Sequence, residues 1–244
     1  MSLIDPCDFP AYLNAMRAEE IPEIAALPLF AAMESATRDR IFAASFLQVF
    51  PPALTLFDRG DRADFLHVLV DGLVELFTGT GEDAVTMSLV RPVTSFILAA
   101  AYTDLRYLMA ARTLSASRIL MVPAPLLREA IAQDPALARS ALNELAGGYR
   151  GLVRSLADMK LRQSIERLAN FILLESDRRG GAVQFNLPAE KRVIASLLGM
   201  TPENLSRAGN TLAQHGATIS GPVVQIIDRT ALTLLAKPDP VIDP

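Results

Sequence analysis

Glu203, Ser206, Arg207 and Asn210 recur at the three- and four-residue steps that place side chains on one face of a helix. Together they can address the edges of base pairs. Arginine donates bidentately to guanine O6 and N7, glutamate accepts from cytosine N4, and serine bonds either a base edge or a phosphate. Asn204, one step round the helix, and Thr201, just ahead of it, complete the candidate nucleic-acid contacts. A plainer reading of the same face is a solvated surface with an i,i+4 ion pair between Glu203 and Arg207, worth about 0.3–0.5 kcal/mol.

The elements that would present these side chains are written around them. Thr201 is a good N-cap, Pro202 fits the first helical position, and Glu203 sits in the first turn, where the helix dipole favours an acid. Leu205, Ala208 and Leu212 form the opposite, apolar stripe. Upstream, residues 183–187 are strand-like. Pro188 opens a helix running to about Leu198, with Val193, Ile194, Leu197 and Leu198 turned inward, and Gly199 breaks it. Two short helices joined by a tight glycine turn make a helix-turn-helix, whose second helix enters the major groove by its N-terminal residues. Residues 217–228 read as two strands turned at Gly221-Pro222, a wing, with His215 capping the helix before them. A further helix covers 164 to about 176, ended by Arg178-Arg-Gly-Gly181.

Before that domain lies the clearest periodicity in the chain. Ala138, Leu142, Leu145, Tyr149, Leu152, Leu156 and Met159 alternate steps of four and three, the seam of a coiled coil that pairs with its own copy; the other reading is a stripe packed on its own domain. Gly147, Gly148 and Gly151 within it either permit close approach of backbones or mark a deformable point. Residues 1 to about 45 show helix-like spacing at Ile41, Phe42 and Phe46. From about Phe46 to Pro123, short apolar runs at 65–70, 73–77 and 85–90 are separated by turns at Arg59-Gly-Asp61, Asp71-Gly72 and Gly79-Thr-Gly81. With no helices between the strands, an antiparallel barrel or roll fits better than a parallel sheet. The fold class is therefore α+β: a β-roll sensor over 1–134, a dimerisation helix over 135–161, a winged helix-turn-helix over 162–236 and a tail over 237–244.

Composition sets limits. The 244 residues are 51% hydrophobic with a net charge of −4, yet residues 160–230 hold nine Lys/Arg against six Asp/Glu while the chain before them is acidic. The start of the sequence lacks a basic and then apolar leader and no long apolar stretch is present, which points to a cytoplasmic protein without a membrane partner. One cysteine, Cys7, cannot supply a disulfide, a zinc site or an iron–sulfur cluster, and only His67 and His215 are histidines. A cupin-like enzyme would gather several histidines and a carboxylate round a metal, so no enzyme is expected.

The run Leu187-Pro-Ala-Glu-Lys-Arg-Val-Ile-Ala-Ser-Leu-Leu-Gly-Met-Thr-Pro-Glu-Asn-Leu-Ser-Arg207 resembles the DNA-binding signature of the Crp/Fnr regulators, and the order roll, long helix, winged helix-turn-helix matches that family over nearly the whole chain. The resemblance implies a homodimer on double-stranded DNA. Glu203, Ser206 and Arg207 would meet a TTGAT half-site in each arm of an inverted repeat, with RNA polymerase as a further partner and activation as the commonest output. The cyclic-AMP receptors carry Gly-Glu and Arg-Ser pairs where this chain has the uncharged stretch 92–101, so cyclic AMP is not expected. Cys7 alone also excludes the cluster-bearing Fnr branch. Residues 96–112 look similar to the nitric-oxide-responsive branch associated with denitrification, whose members are held to sense the gas through haem. Its ligand here would be His67, Cys7, or a methionine or tyrosine. The alternative function is a dimeric ligand-sensing roll that regulates a partner protein without reading DNA; it leaves residues 187–207 unexplained.

Overall fold

The structure, a computed structural model, describes residues 16–243, and Cys7 lies outside them. The chain divides into two compact units, residues 1–148 and 149–244.

The first unit runs α1 (Ile21–Ala25), α2 (Ser35–Ala43), β1 (Phe46–Phe50), β2 (Thr55–Phe57), β3 (Phe65–Asp71), β4 (Val74–Thr78), β5 (Val85–Val90), β6 (Thr94–Phe96), α3 (Leu98–Thr103), β7 (Ala110–Thr113), β8 (Ser117–Pro123), α4 (Ala124–Gln133) and the first half of α5 (Pro135–Leu161). The strands make two four-stranded antiparallel sheets, ordered β1-β8-β3-β6 and β2-β7-β4-β5, so the last strands return to pair with the first. Turn chemistry fixes the corners. Gly72 has φ +102°, and a Cβ there would lie 2.4 Å from Ser117 Oγ and 2.6 Å from Ala116 O, which only glycine avoids.

Alternation along β3 divides the core. Leu66, Val68 and Val70 join the cluster formed with α1, α2 and α4, and Leu69 joins the cluster inside the roll with Phe57, Phe96, Ile119 and Met121. Phe46, grouped by its spacing with the preceding helix, instead opens β1. The helix stops at Ala43, where the Ser45 hydroxyl donates to Ile41 O at 2.7 Å. The uncharged stretch 92–101 forms β6 and the start of α3, with Ile97 at φ +63° between them.

Asp134 starts α5: its Oδ1 accepts from the N–H groups of Ala136 and Leu137 at 2.9 and 3.1 Å, and its Oδ2 from Glu34 N–H. Leu137 and Ala141 are buried in the first unit and Leu145 packs against the same cluster. That packing makes the first half of α5 part of the roll unit, where sequence reasoning placed a separate helix from 135. Ser95 on β6 donates to Glu144 on the same half.

The second unit holds the rest of α5, then α6 (Ser164–Asp177), β9 (Gln184–Asn186), α7 (Lys191–Leu197), α8 (Pro202–Leu212), β10 (Ala217–Ser220), β11 (Val223–Ile226) and α9 (Arg229–Ala236). The wing strands pair antiparallel, and β9 joins them in the order β10-β11-β9. Helix α6 forms the centre, burying Leu168, Ala169, Phe171, Ile172 and Leu173 and packing on α8 and α9. Helix α7 begins at Lys191, three residues after Pro188, because Glu190 is still extended at ψ 148°. Among the described residues no helix is long and apolar enough to cross a membrane.

Candidate nucleic-acid interface

Gly199, at φ +62°, turns the chain between α7 and α8, a conformation glycine adopts without strain. Thr201 then caps α8: its Oγ1 accepts from Asn204 N–H at 3.2 Å, and Pro202 occupies the first turn. Replacing Thr201 by alanine orphans that N–H. We expect T201A to lower the stability of the second unit by about 1 kcal/mol, read as a shifted urea midpoint; an unshifted midpoint removes the cap from the account.

Leu205, Ala208 and Leu212 are buried beneath α8, while Thr201, Glu203, Asn204, Ser206, Arg207 and Asn210 all remain exposed. The candidate contacts thus share the outward side of a docked helix. Within that side the partners differ from the simple Glu203–Arg207 pair. The Arg207 guanidinium donates through Nη2 to Asn204 Oδ1, so Asn204 orients the arginine. The Glu203 carboxyl lies below the usual carboxylate range, held there by its own backbone N–H and then by the Thr201 side chain, with the Arg207 charge contributing less. It is an ionised acceptor at neutral pH. Ser206 and Asn210 line a crevice of about 140 Å³ together with Lys191, Gly209 and Ile219, which places them on the flank of α8 toward the wing.

Sequence reasoning missed the residue that supports this turn from below. Arg167 on α6 donates through Nε to Leu198 O at 2.8 Å, through Nη2 to Gly199 O at 3.4 Å and through Nη1 to Arg162 O at 2.7 Å. It satisfies carbonyls left at the end of α7. No local pattern marks its role at the turn, since Leu198 and Gly199 lie some thirty residues away. Helix α9, also missed, had a legible start: the Asp228 side chain accepts from Ala231 N–H at 3.0 Å.

On α5, the seam residues differ in burial. Ala138 and Leu145 are half-buried in the first unit, whereas Leu142 in the same unit and Tyr149, Leu152, Leu156 and Met159 in the second stay exposed, Tyr149 to 69%. A row of exposed leucines at heptad spacing is a face without a partner among the described residues.

His67 faces the roll interior. Its ring centroid lies 5.1 Å from Phe57, 5.4 Å from Phe96 and 6.4 Å from Tyr107, it is 5% exposed, and its Nδ1 has no hydrogen-bond partner among the described residues. Burial lowers its pKa from 6.5 to about 4. A haem at His67 would need open space in front of one ring nitrogen, so this closely packed, buried ring would have to be uncovered for it to serve as an axial ligand. Among the described residues no group of three or more His, Cys, Asp or Glu could hold a metal ion.

The buried histidine has a pH consequence. As pH falls below 6.5 the unfolded chain takes up a proton that the folded one refuses until about pH 4, so stability is lost across that window, by about 3 kcal/mol at its end. We expect the urea midpoint of His67→Phe to fall less between pH 6.5 and 4.5 than that of the unaltered chain; parallel curves would clear His67 as the source.

Comparison with known proteins matches residues 47–134 to a family model described as cyclic nucleotide-binding domain and residues 166–235 to one described as Crp-like helix-turn-helix domain. The chain is similar to the transcriptional activator protein FnrA of Stutzerimonas stutzeri, 28% identical over 189 residues that make up 75% of this chain and 77% of that one. It is similar also to the fumarate and nitrate reduction regulatory protein of Yersinia pestis, 26% identical over 192 residues, 74% of each. Among solved structures, one of a putative cAMP-binding regulatory protein from Silicibacter pomeroyi DSS-3 is 27% identical with a TM-score of 0.60, covering 90% of this chain and 100% of that one. FixK2 from Bradyrhizobium japonicum, 23% identical, shares the fold at a TM-score of 0.68 over 78% of this chain and 96% of that one.

Proposed function

We propose that the chain is a Crp/Fnr-type DNA-binding transcription regulator, a reading supported by the two family models and by its likeness to FnrA, and that it acts as a homodimer that reads a TTGAT inverted repeat and activates transcription with RNA polymerase. The observation that carries this reading is α8, capped by Thr201, docked by Leu205, Ala208 and Leu212, and presenting Glu203, Ser206 and Arg207 to solvent. Asn204 and Asn210 take supporting places, the first orienting Arg207 and the second toward the wing. The exposed row Leu142, Tyr149, Leu152, Leu156 and Met159 supplies the dimer face, with Ala138 and Leu145 at its edge. Fluorescence anisotropy with a labelled duplex tests it: tight binding to the repeat, weak binding to a scrambled duplex of equal length, and a Hill profile of one dimer per site are expected. Equal binding to both duplexes would reject the reading.

For the effector we propose nitric oxide sensed through haem, and not cyclic AMP. The uncharged stretch 92–101 supports the second part, since a cyclic phosphate would find no arginine there. For the first, the apolar roll interior is the supporting feature and the packing round His67 speaks against that residue as ligand. When bound, haem would supply an iron that takes up the gas. An absorption spectrum after anaerobic haem addition, with and without nitric oxide, decides: a Soret band that shifts with the gas supports haem, and a free-haem spectrum removes it.

A further inference from the structure

The segment after α9 folds back onto the corner between α5 and α6. Asp243 accepts from Arg162 through both guanidinium nitrogens, from Asn170 Nδ2 at 2.9 Å and from Asp239 N–H at 2.8 Å. Arg162, at the corner itself, also donates to Asp158 on the last turn of α5 and to Lys237 O at 3.2 Å. Its side chain is 7% exposed and that of Asp243 is 9% exposed.

A second tie lies beside the first. Lys237 Nζ donates to Glu166 Oε1 at 2.6 Å, and Glu166 Oε2 accepts from Gln163 N–H at 2.8 Å, closing the capping box that starts α6. One nearly buried carboxylate thus serves both the cap and the returning segment. The segment brings little apolar surface with it: Val241 is exposed, and a crevice of about 290 Å³ remains under Ile242. Its attachment is polar and aimed at corner residues. From there Arg167 continues the network, taking Arg162 O on one side and Leu198 O and Gly199 O on the other.

We propose that residues 237–243 are a positioning clasp for the recognition helix, in which Asp243 and Lys237 hold Arg162 and Glu166 at the α5–α6 corner and Arg167 carries that hold to the turn before α8. The clasp rests on the reading of α8 as the DNA-contacting helix. It acts through other residues and touches no base. The Arg162–Asp243 bonds, charge-assisted and with both partners buried, have one good geometry and fix the corner as long as they are made, while Lys237, exposed itself, adds its bond to the nearly buried Glu166. Without them the corner keeps its cap and the Arg162–Asp158 pair, and the end of Arg167's bridge at Arg162 is no longer tied to the returning segment.

The experiment uses the full chain with Asp243→Ala and reads two quantities. Hydrogen exchange at the amides of Met200, Asn204 and Leu205 reports the turn without reference to DNA; it is expected to speed up about tenfold in the variant while wing amides over Val223–Ile226 stay within about twofold. Duplex binding is read with the inverted repeat at its natural spacing and with one base pair inserted. The unaltered chain is expected to discriminate between the spacings, and the variant to lose most of that discrimination while binding a single half-site nearly as well. Unchanged exchange overturns the clasp, and so does faster exchange with full discrimination retained. If the unaltered chain binds neither duplex, the DNA reading fails, while the exchange measurement still judges the clasp. Should D243A not fold, Asp243→Asn removes the charge at nearly constant shape and is read the same way.

Discussion

Substituting Arg207 by alanine is expected to weaken binding to the TTGAT inverted repeat about 10- to 100-fold per half-site and to erase the preference for guanine at the contacted position. The side chain is exposed on the outward face of α8 and its hydrogen-bond partner, Asn204, is exposed too, so its removal should leave urea unfolding almost unchanged. The salt dependence separates a base contact from a phosphate contact. A lost phosphate contact weakens all sequences alike and lowers the slope of log K against log salt by about one, whereas a lost guanine contact mainly flattens sequence preference. Arg207→Lys sharpens the test, because lysine keeps the charge and loses the planar fork. If R207K binds and discriminates like the unaltered protein, charge alone suffices and the bidentate reading is wrong. If R207A does so, α8 is not the reading helix.

The second large effect is expected on assembly. Leu152 and Leu156 lie at successive seam positions on the exposed face of α5. Changing both to aspartate should raise the dimer dissociation constant about a thousandfold or more, since each buried leucine contributes roughly 1.5–3 kcal/mol, the two-fold axis counts every residue twice, and four carboxylates then face one another. Sedimentation equilibrium reads it directly. The same variant should lose affinity for the inverted repeat far more than for a lone half-site, because one arm no longer holds the other at high local concentration. A dimer that survives the double substitution would place the interface elsewhere on the chain.

What could be read in advance follows from how local each signal is. The start of α8 was legible because Thr201, Pro202 and Glu203 act within one turn of chain. The corners of the roll were legible because glycine at Asp71-Gly72 answers a backbone demand. Helix α7 was placed three residues early, since Pro188 fits a first turn and equally fits the extended entry that the structure has. The long-range roles of Arg167, Glu166 and Asp243 carried no mark. Glu166 has a local partner in the capping box with Gln163, but Leu198, Lys237 and Arg162, which these three respectively reach, stand thirty or more residues away, and a single charged residue looks the same in sequence whether it faces water or such a partner. The heptad on α5 was legible as a stripe, but not that Leu145 would turn to its own roll while Leu152 faced outward. Its period records that something covers the stripe, not what.

Helix α5 runs unbroken through Gly147, Gly148 and Gly151, and a side chain added at any of the three would meet nothing within 4 Å. No neighbour in the chain excludes alanine there, yet each glycine costs the helix about 1 kcal/mol against it. The division between the units falls at residue 148, inside this stretch. Helix α5 therefore carries its lowest intrinsic helix propensity at the point where one unit's packing ends and the other's begins, so its continuity there rests on backbone hydrogen bonds rather than on side-chain contacts.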